Sequence, residues 1–182
     1  DIPGGGAALQ VTIPRAGATL YEIGTNAPIT AGIKRGTDIT AIFLARAPQS
    51  AASNGKGRIG VRFQQNAAPY PGFGDTTLLI NSEWKQYEVT ARADRDISKG
   101  QAVLAFQLSG AKQTIEIGQT IIVSGAKSIL SKQVAAAPAI ELHPKLVGKG
   151  EVITDYTIQN WPIHGLGETH KNIPAKEVPG GQ

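Results

Sequence analysis

Apolar and polar positions alternate one by one through much of the chain as far as Ser124. Between Trp84 and Ala91, Trp84, Gln86, Glu88 and Thr90 fall on one side and Lys85, Tyr87, Val89 and Ala91 on the other. A period of two marks a strand, because successive side chains of extended backbone point to opposite faces. Gln101–Leu108 continues the pattern, with Ala102, Leu104, Phe106 and Leu108 on one side. Thr114–Gly118 and Thr120–Ser124 predict one further strand, kinked at Gly118–Gln119, since a glycine inside such a run often marks a bulge. The links between these runs are polar and carry Gly, Asp or Ser, as turns require.

Upstream the pattern is the same. Ala7–Pro14 sets Leu9, Val11 and Ile13 on one face. Leu20–Ile23 reads as a short strand, Gly24–Pro28 as a loop and Ile29–Ile33 as a strand. Ile39–Ala47 is apolar on both faces, which predicts a central strand. Arg58–Gln65 points Ile59, Val61 and Phe63 inward and Arg58, Arg62 and Gln64 outward. The loop Asn66–Gly74 is rich in Pro and Gly, and Asp75–Ile80 is again a strand. No segment before residue 125 carries a 3.6-residue apolar stripe. About nine short strands with turn signals every 8–12 residues predict an all-β sandwich or jelly roll.

The character changes after Ser131. Lys132–Gly150 contains Ala and Pro and reads as a linker, Glu151–Trp161 as another strand, and the remainder as loop. The expected organisation is a body over 1–130, a linker over 131–150 and a completing segment over 151–182.

The order WKQYEV, AVLAFQLSG and QTIEIGQTIIV resembles the last strands of the β-jelly-roll carbohydrate-binding modules of the broad family 4/9/16/22 type. The similarity extends back to about Pro3. In that family a module opens with a strand like GEVITDYTIQNW and then reaches a segment like VPGGxALxV. Here the matching opening strand, Glu151–Trp161, comes last. A proline followed by two glycines stands near both ends, at Pro3-Gly4-Gly5 and Pro179-Gly180-Gly181. The resemblance therefore implies a jelly-roll β-sandwich of nine to ten antiparallel strands whose first-strand slot is filled by the C-terminal strand, through Val152, Ile153, Tyr156, Ile158 and Trp161. Three arrangements are consistent with this: a piece of a tandem array, closure of the tail on its own body, or donation to a neighbouring subunit. The roughly 20 residues between Leu130 and Glu151 reach about 65 Å when extended, enough for self-closure. A donated strand would instead pair with a neighbour's open edge and build filaments if it did not close into a ring.

Composition narrows the function. The 182 residues, with 22 Gly and 11 Pro, suffice for one domain with its own core. Charged residues make up 18%, and the net charge is +4 with a pI near 9.4. The basic residues are scattered without interleaved aromatics, which argues against nucleic acid and leaves room for weak attraction to acidic polysaccharide or an anionic surface. Without Cys there is neither a disulfide nor a thiolate metal site. No apolar run is long enough for a membrane span. The absence of Met suggests that Asp1 is a processed terminus or a fragment boundary.

Little here points to catalysis. His143, His164 and His170 are spaced more loosely than zinc ligands and read as solvated loop residues. Glycoside hydrolysis needs two facing carboxylates, but the acidic residues lie mostly at turns, and Glu116, alone on a strand face, has no obvious partner. No nucleophile elbow occurs. No cofactor is expected; the resemblance brings only a structural calcium, with Glu168 as its candidate ligand. For a glycan, Tyr70 and Phe73 are the best exposed aromatic pair, unless they fold back as a lid on the core. Arg46, Arg62, Gln64 and Gln107 are expected to line one sheet face, as sugar partners or as ordinary polar surface. Tyr156 and Trp161 serve more readily as anchors of the inserted strand. Two functions follow: a non-catalytic carbohydrate-binding module of an extracellular polysaccharide-associated protein, or a subunit of an extracellular filament assembled by strand complementation.

Overall fold

The computed structural model describes residues 7–128, 146–147, 150–153, 161–165 and 169–173. The strands are β1 (Ala8–Ile13), β2 (Gly24–Ile29), β3 (Asp38–Ser50), β4 (Gly57–Gln65), β5 (Gly72–Ile80), β6 (Lys85–Arg92), β7 (Ala102–Gln107), β8 (Gln113–Ser124), β9 (Lys127–Ser128), β10 (Leu146–Val147), β11 (Glu151–Val152), β12 (Ile163–His164) and β13 (Thr169–Ile173). They form two antiparallel sheets and a small β9–β10 ribbon. One sheet has the order β13-β1-β8-β3-β6, with β11 also on β8; the other has the order β12-β2-β7-β4-β5. This is the all-β jelly-roll sandwich that the alternation predicts.

The inward residues of both sheets meet in one core. Leu9, Val11, Ile39, Phe43, Ile115 and Ile117 face it from the first sheet, and Ile59, Phe63, Leu104 and Phe106 from the second. Phe43 sits edge-on to Phe106 at 5.0 Å, and on its other side stacks on Tyr87 at 5.9 Å. Burial raises the Tyr87 pKa above its ordinary value of 10.0, although its hydroxyl oxygen accepts a 2.8 Å hydrogen bond from the Asn81 backbone N–H. β3 lies inside its sheet between β8 and β6, as its two apolar faces require. Ile42, Leu44 and Val123 point to the outer face and are also buried. There β9 packs beside β3 and β6, and the Thr40 hydroxyl donates to the Ala126 carbonyl at 3.0 Å.

Several boundaries differ from the alternation pattern. Leu20–Glu22 is a 3-10 turn rather than a strand, because the Glu22 carboxylate accepts from the Thr19 backbone N–H at 3.0 Å and closes the chain locally. The strand begins only at Gly24, within the expected loop, and runs through Pro28. Pro28 lies beyond the two residues that β12 pairs, so its missing N–H interrupts no ladder on that side. Ile33 makes an isolated bridge to Ile97 instead of continuing a strand. Trp84 precedes β6 rather than opening it.

The C-terminal segment packs on its own body at three places. β11 pairs with Val123–Ser124, on the edge of β8 that β1 leaves after Ile117. Ile153, 1% exposed, then joins the two sheets: its N–H donates to Ile122 O and its carbonyl accepts from Thr30 N–H, both at 2.8 Å. Trp161, 5% exposed, stacks on Phe106 at 5.8 Å with 16° between the planes. Pro162 O accepts from Thr25 Oγ1 at 3.0 Å, and β12 extends the second sheet. The stretch expected to be terminal loop contains β13, which covers the free edge of β1 from Ala8 to Thr12. Of the residues expected to complete the sandwich, Ile153 and Trp161 are core, Val152 is half exposed, and Tyr156 and Ile158 lie outside the described residues.

Candidate functional site

The outward face of the second sheet is built in cross-strand rows. In β7, Leu104 and Phe106 face the core, so Val103, Ala105 and Gln107 face outward. Register then aligns them with their neighbours. One row is His164, Gly24, Gln107 and Gly60; the next is Asn26, Ala105 and Arg62; the third is Pro28, Val103 and Gln64. Gly24 and Gly60 leave room for the His164 and Gln107 side chains, and Ala105 between them is 3% exposed. An added Cβ at Gly60 would lie 2.7 Å from Gln107 Oε1 and 3.2 Å from Leu20 Cδ1, and one at Gly24 2.8 Å from His164 Nε2. The face holds a cleft of about 600 Å³.

Its rims carry two exposed tyrosines. Tyr21, 63% exposed, stands on the 3-10 turn before β2, and Tyr70, 53% exposed, in the loop between β4 and β5 at φ 57°. Asn66 and Pro69 belong to the Tyr70 side, while Pro162 and His164 bring the C-terminal segment into the wall. Among the described residues no lining residue is a carboxylate. Arg62 Nη1 lies 3.3 Å from Asp75 Oδ1, and a side chain at Gly72 would collide with the guanidinium. Arg62 Nε and Asn26 Oδ1 are buried without a hydrogen-bond partner.

The structure therefore brings together Tyr70, Arg62, Gln64 and Gln107 of the residues singled out from sequence. It places the other two elsewhere. Phe73 is not an exposed partner of Tyr70: it is buried and stacks on Phe63 at 5.6 Å, because β5 begins at Gly72 and turns Phe73 inward. Arg46 lies on the outer face of the other sheet, where it pairs with Glu116 and sits 5.1 Å over the Trp84 ring. Glu116, 3% exposed, also accepts from Gln10 Nε2 at 2.5 Å, so this carboxylate does have partners. Tyr21, Asn26, Asn66 and His164 were not singled out. Tyr21 sits on the 3-10 turn, where strand alternation does not apply, and nothing local marks His164, which enters through long-range pairing.

No family model and no curated protein matches the sequence. Solved structures do match. A family 4 carbohydrate-binding module (CBM4) is 26% identical, with a TM-score of 0.53, over 64% of this chain and 83% of that one. The carbohydrate-binding module of PbXyn10C shares only 12% identity but aligns over 96% of this chain and 91% of that one, with a TM-score of 0.61. The chain shares the jelly-roll fold of these carbohydrate-binding modules. The N-terminal cellulose-binding domain of Cellulomonas fimi β-1,4-glucanase C is 27% identical over 62% of this chain and 74% of its own, with a TM-score of 0.46. No three His, Asp or Glu residues cluster as a metal site among the described residues, and Glu168 lies outside them. No helix among the described residues is long and apolar enough to cross a membrane.

Proposed function

We propose that the chain is a non-catalytic carbohydrate-binding module of an extracellular polysaccharide-associated protein, and that it lays a polysaccharide segment across the second sheet. The observation that carries this is the pairing of two exposed tyrosines, Tyr21 and Tyr70, on the rims of one cleft. Tyrosine offers a flat apolar face to a sugar ring and a hydroxyl to its edge at small entropic cost. Asn26, Gln64, Asn66 and Gln107 add amide donors and acceptors to match hydroxyls. The fold shared with the CBM4 module supports the same reading. Among the described residues the cleft offers no carboxylate pair of the kind glycosidases use, which supports the non-catalytic reading over hydrolysis.

The tail's packing supports its role as the strand that closes its own sandwich, through Ile153 and Trp161. The test of sugar binding is affinity electrophoresis through xylan, β-glucan and acidic polysaccharide. Retardation of the wild type by at least one polymer, weakened about tenfold in Tyr21→Ala and in Tyr70→Ala, is the expected result. Unretarded migration through all of them would end the proposal.

A further inference from the structure

The cleft has a charge pattern that neutral sugar recognition does not require. Among the described residues its lining contains a guanidinium in the central row and no carboxylate. That guanidinium is poorly satisfied. Arg62 can donate five N–H bonds, yet among the described residues it makes one ion pair, at 3.3 Å to Asp75, and no hydrogen bond. Asp75 is 63% exposed in its side chain whereas Arg62 is 24% exposed, so the partner is mostly in water and the cation mostly out of it. A surface pair of this kind contributes little, while a half-desolvated cation attracts an anion more strongly than a hydrated one does. The side chain is also held in place, because its guanidinium lies against the backbone of Gly72 on β5 with no room for a Cβ between them.

The second orphaned atom lies in the same row. Asn26 Oδ1 is a buried acceptor without a donor. Asn26 and Arg62 are both register partners of Ala105, one strand away on either side, so their backbones lie about 10 Å apart. Ala105 between them is 3% exposed and Asn26 8%, so a ligand would meet this row through Arg62, whose side chain is 24% exposed, rather than through Ala105 or Asn26.

We propose that the cleft selects a uronate-bearing glycan, with its carboxylate on Arg62. This rests on the glycan-binding reading above and adds the class of sugar to it. A guanidinium suits this role because its planar fork matches a carboxylate.

The experiment compares glucuronoxylan and alginate with the same polymers after chemical reduction of their uronate carboxyls to alcohols, measured by affinity electrophoresis and calorimetry. The wild type is expected to bind at least one of the acidic polymers at least tenfold more tightly than its reduced counterpart. Arg62→Gln is expected to bind both forms with the affinity that the wild type shows for the reduced one. Equal wild-type affinity for acidic and reduced polymers overturns the uronate inference and leaves the glycan-binding reading standing. Binding to neither overturns both. A preference for acid that survives in Arg62→Gln overturns the assignment to Arg62, and dextran sulfate binding as tightly as the uronates overturns the selection of carboxylate. The wild-type comparison needs no variant, so a folding defect in Arg62→Gln cannot obscure the outcome.

Discussion

Replacing Trp161 by Ala removes the anchor that holds the start of β12 against the body. An indole of about 200 Å² that is nearly all buried gains at most ~5 kcal/mol from leaving water, at ~25 cal/mol per Å². Its Nε1 is buried without a partner, which offsets about 1–3 kcal/mol of that gain. The cavity left under Phe106 adds to the loss. The expected net destabilisation is therefore about 3 kcal/mol, a large part of the ~5–15 kcal/mol that holds a domain folded. Urea unfolding followed by tryptophan fluorescence and circular dichroism measures it, and the melting temperature should fall by on the order of 10 °C. Double substitution with Phe106→Leu should show a coupling of about 0.5–1.5 kcal/mol from the stacked pair. Glycan affinity should fall as well, because Pro162 and His164 follow Trp161 into the cleft wall. A loss below 1 kcal/mol, with sugar binding intact, would refute the claim that the C-terminal segment is part of the core.

Three further outcomes are expected. Ala105 is 3% exposed in the middle of the second sheet, so Ala105→Leu overpacks the row of Asn26 and Arg62 and should destabilise by about 1–3 kcal/mol in urea unfolding, with calorimetry on the best-bound polymer expected to show weaker binding as well. Arg46→Ala leaves the buried Glu116 carboxylate with Gln10 alone and should destabilise by about 3 kcal/mol in urea without altering sugar affinity, since it lies on the opposite sheet. Tyr87 has its pKa raised by burial, so the stability it confers is complete below pH 10.0 and is lost as pH rises through the folded value. Unfolding midpoints at pH 8 and pH 11 should therefore diverge more in wild type than in Tyr87→Phe.

The body was legible because its strands alternate strictly. Ile59, Val61 and Phe63 against Arg62 and Gln64 determine which face of β4 is core, and that alone places two cleft residues correctly. The resemblance to carbohydrate-binding modules turned the alternation into a jelly roll and pointed to a displaced strand. Where local chemistry competes with alternation, the pattern misleads. The Thr19–Glu22 contact turns an apparent strand into a 3-10 turn and so hides Tyr21 on a rim. Phe73 looked like a loop tip because Pro and Gly surround it, but pairing with β4 carries the strand back to Gly72. Arg46 and Arg62 are indistinguishable in sequence, both outward on long strands; only the division into two sheets sends them to opposite sides. β12 and β13 are too short, and too dependent on partners distant in sequence, to announce themselves.

The wall supplied by Pro162 and His164 makes recognition a late property of this polypeptide. Residues 7–128 by themselves would present a trough open along the flank of β2, lacking one side of the cleft. On the proposed reading, ligand competence arises only once synthesis has run past His164 and that stretch has docked. Cleavage anywhere between the body and Trp161, followed by departure of the tail, would switch binding off while leaving the tyrosines and Arg62 in place.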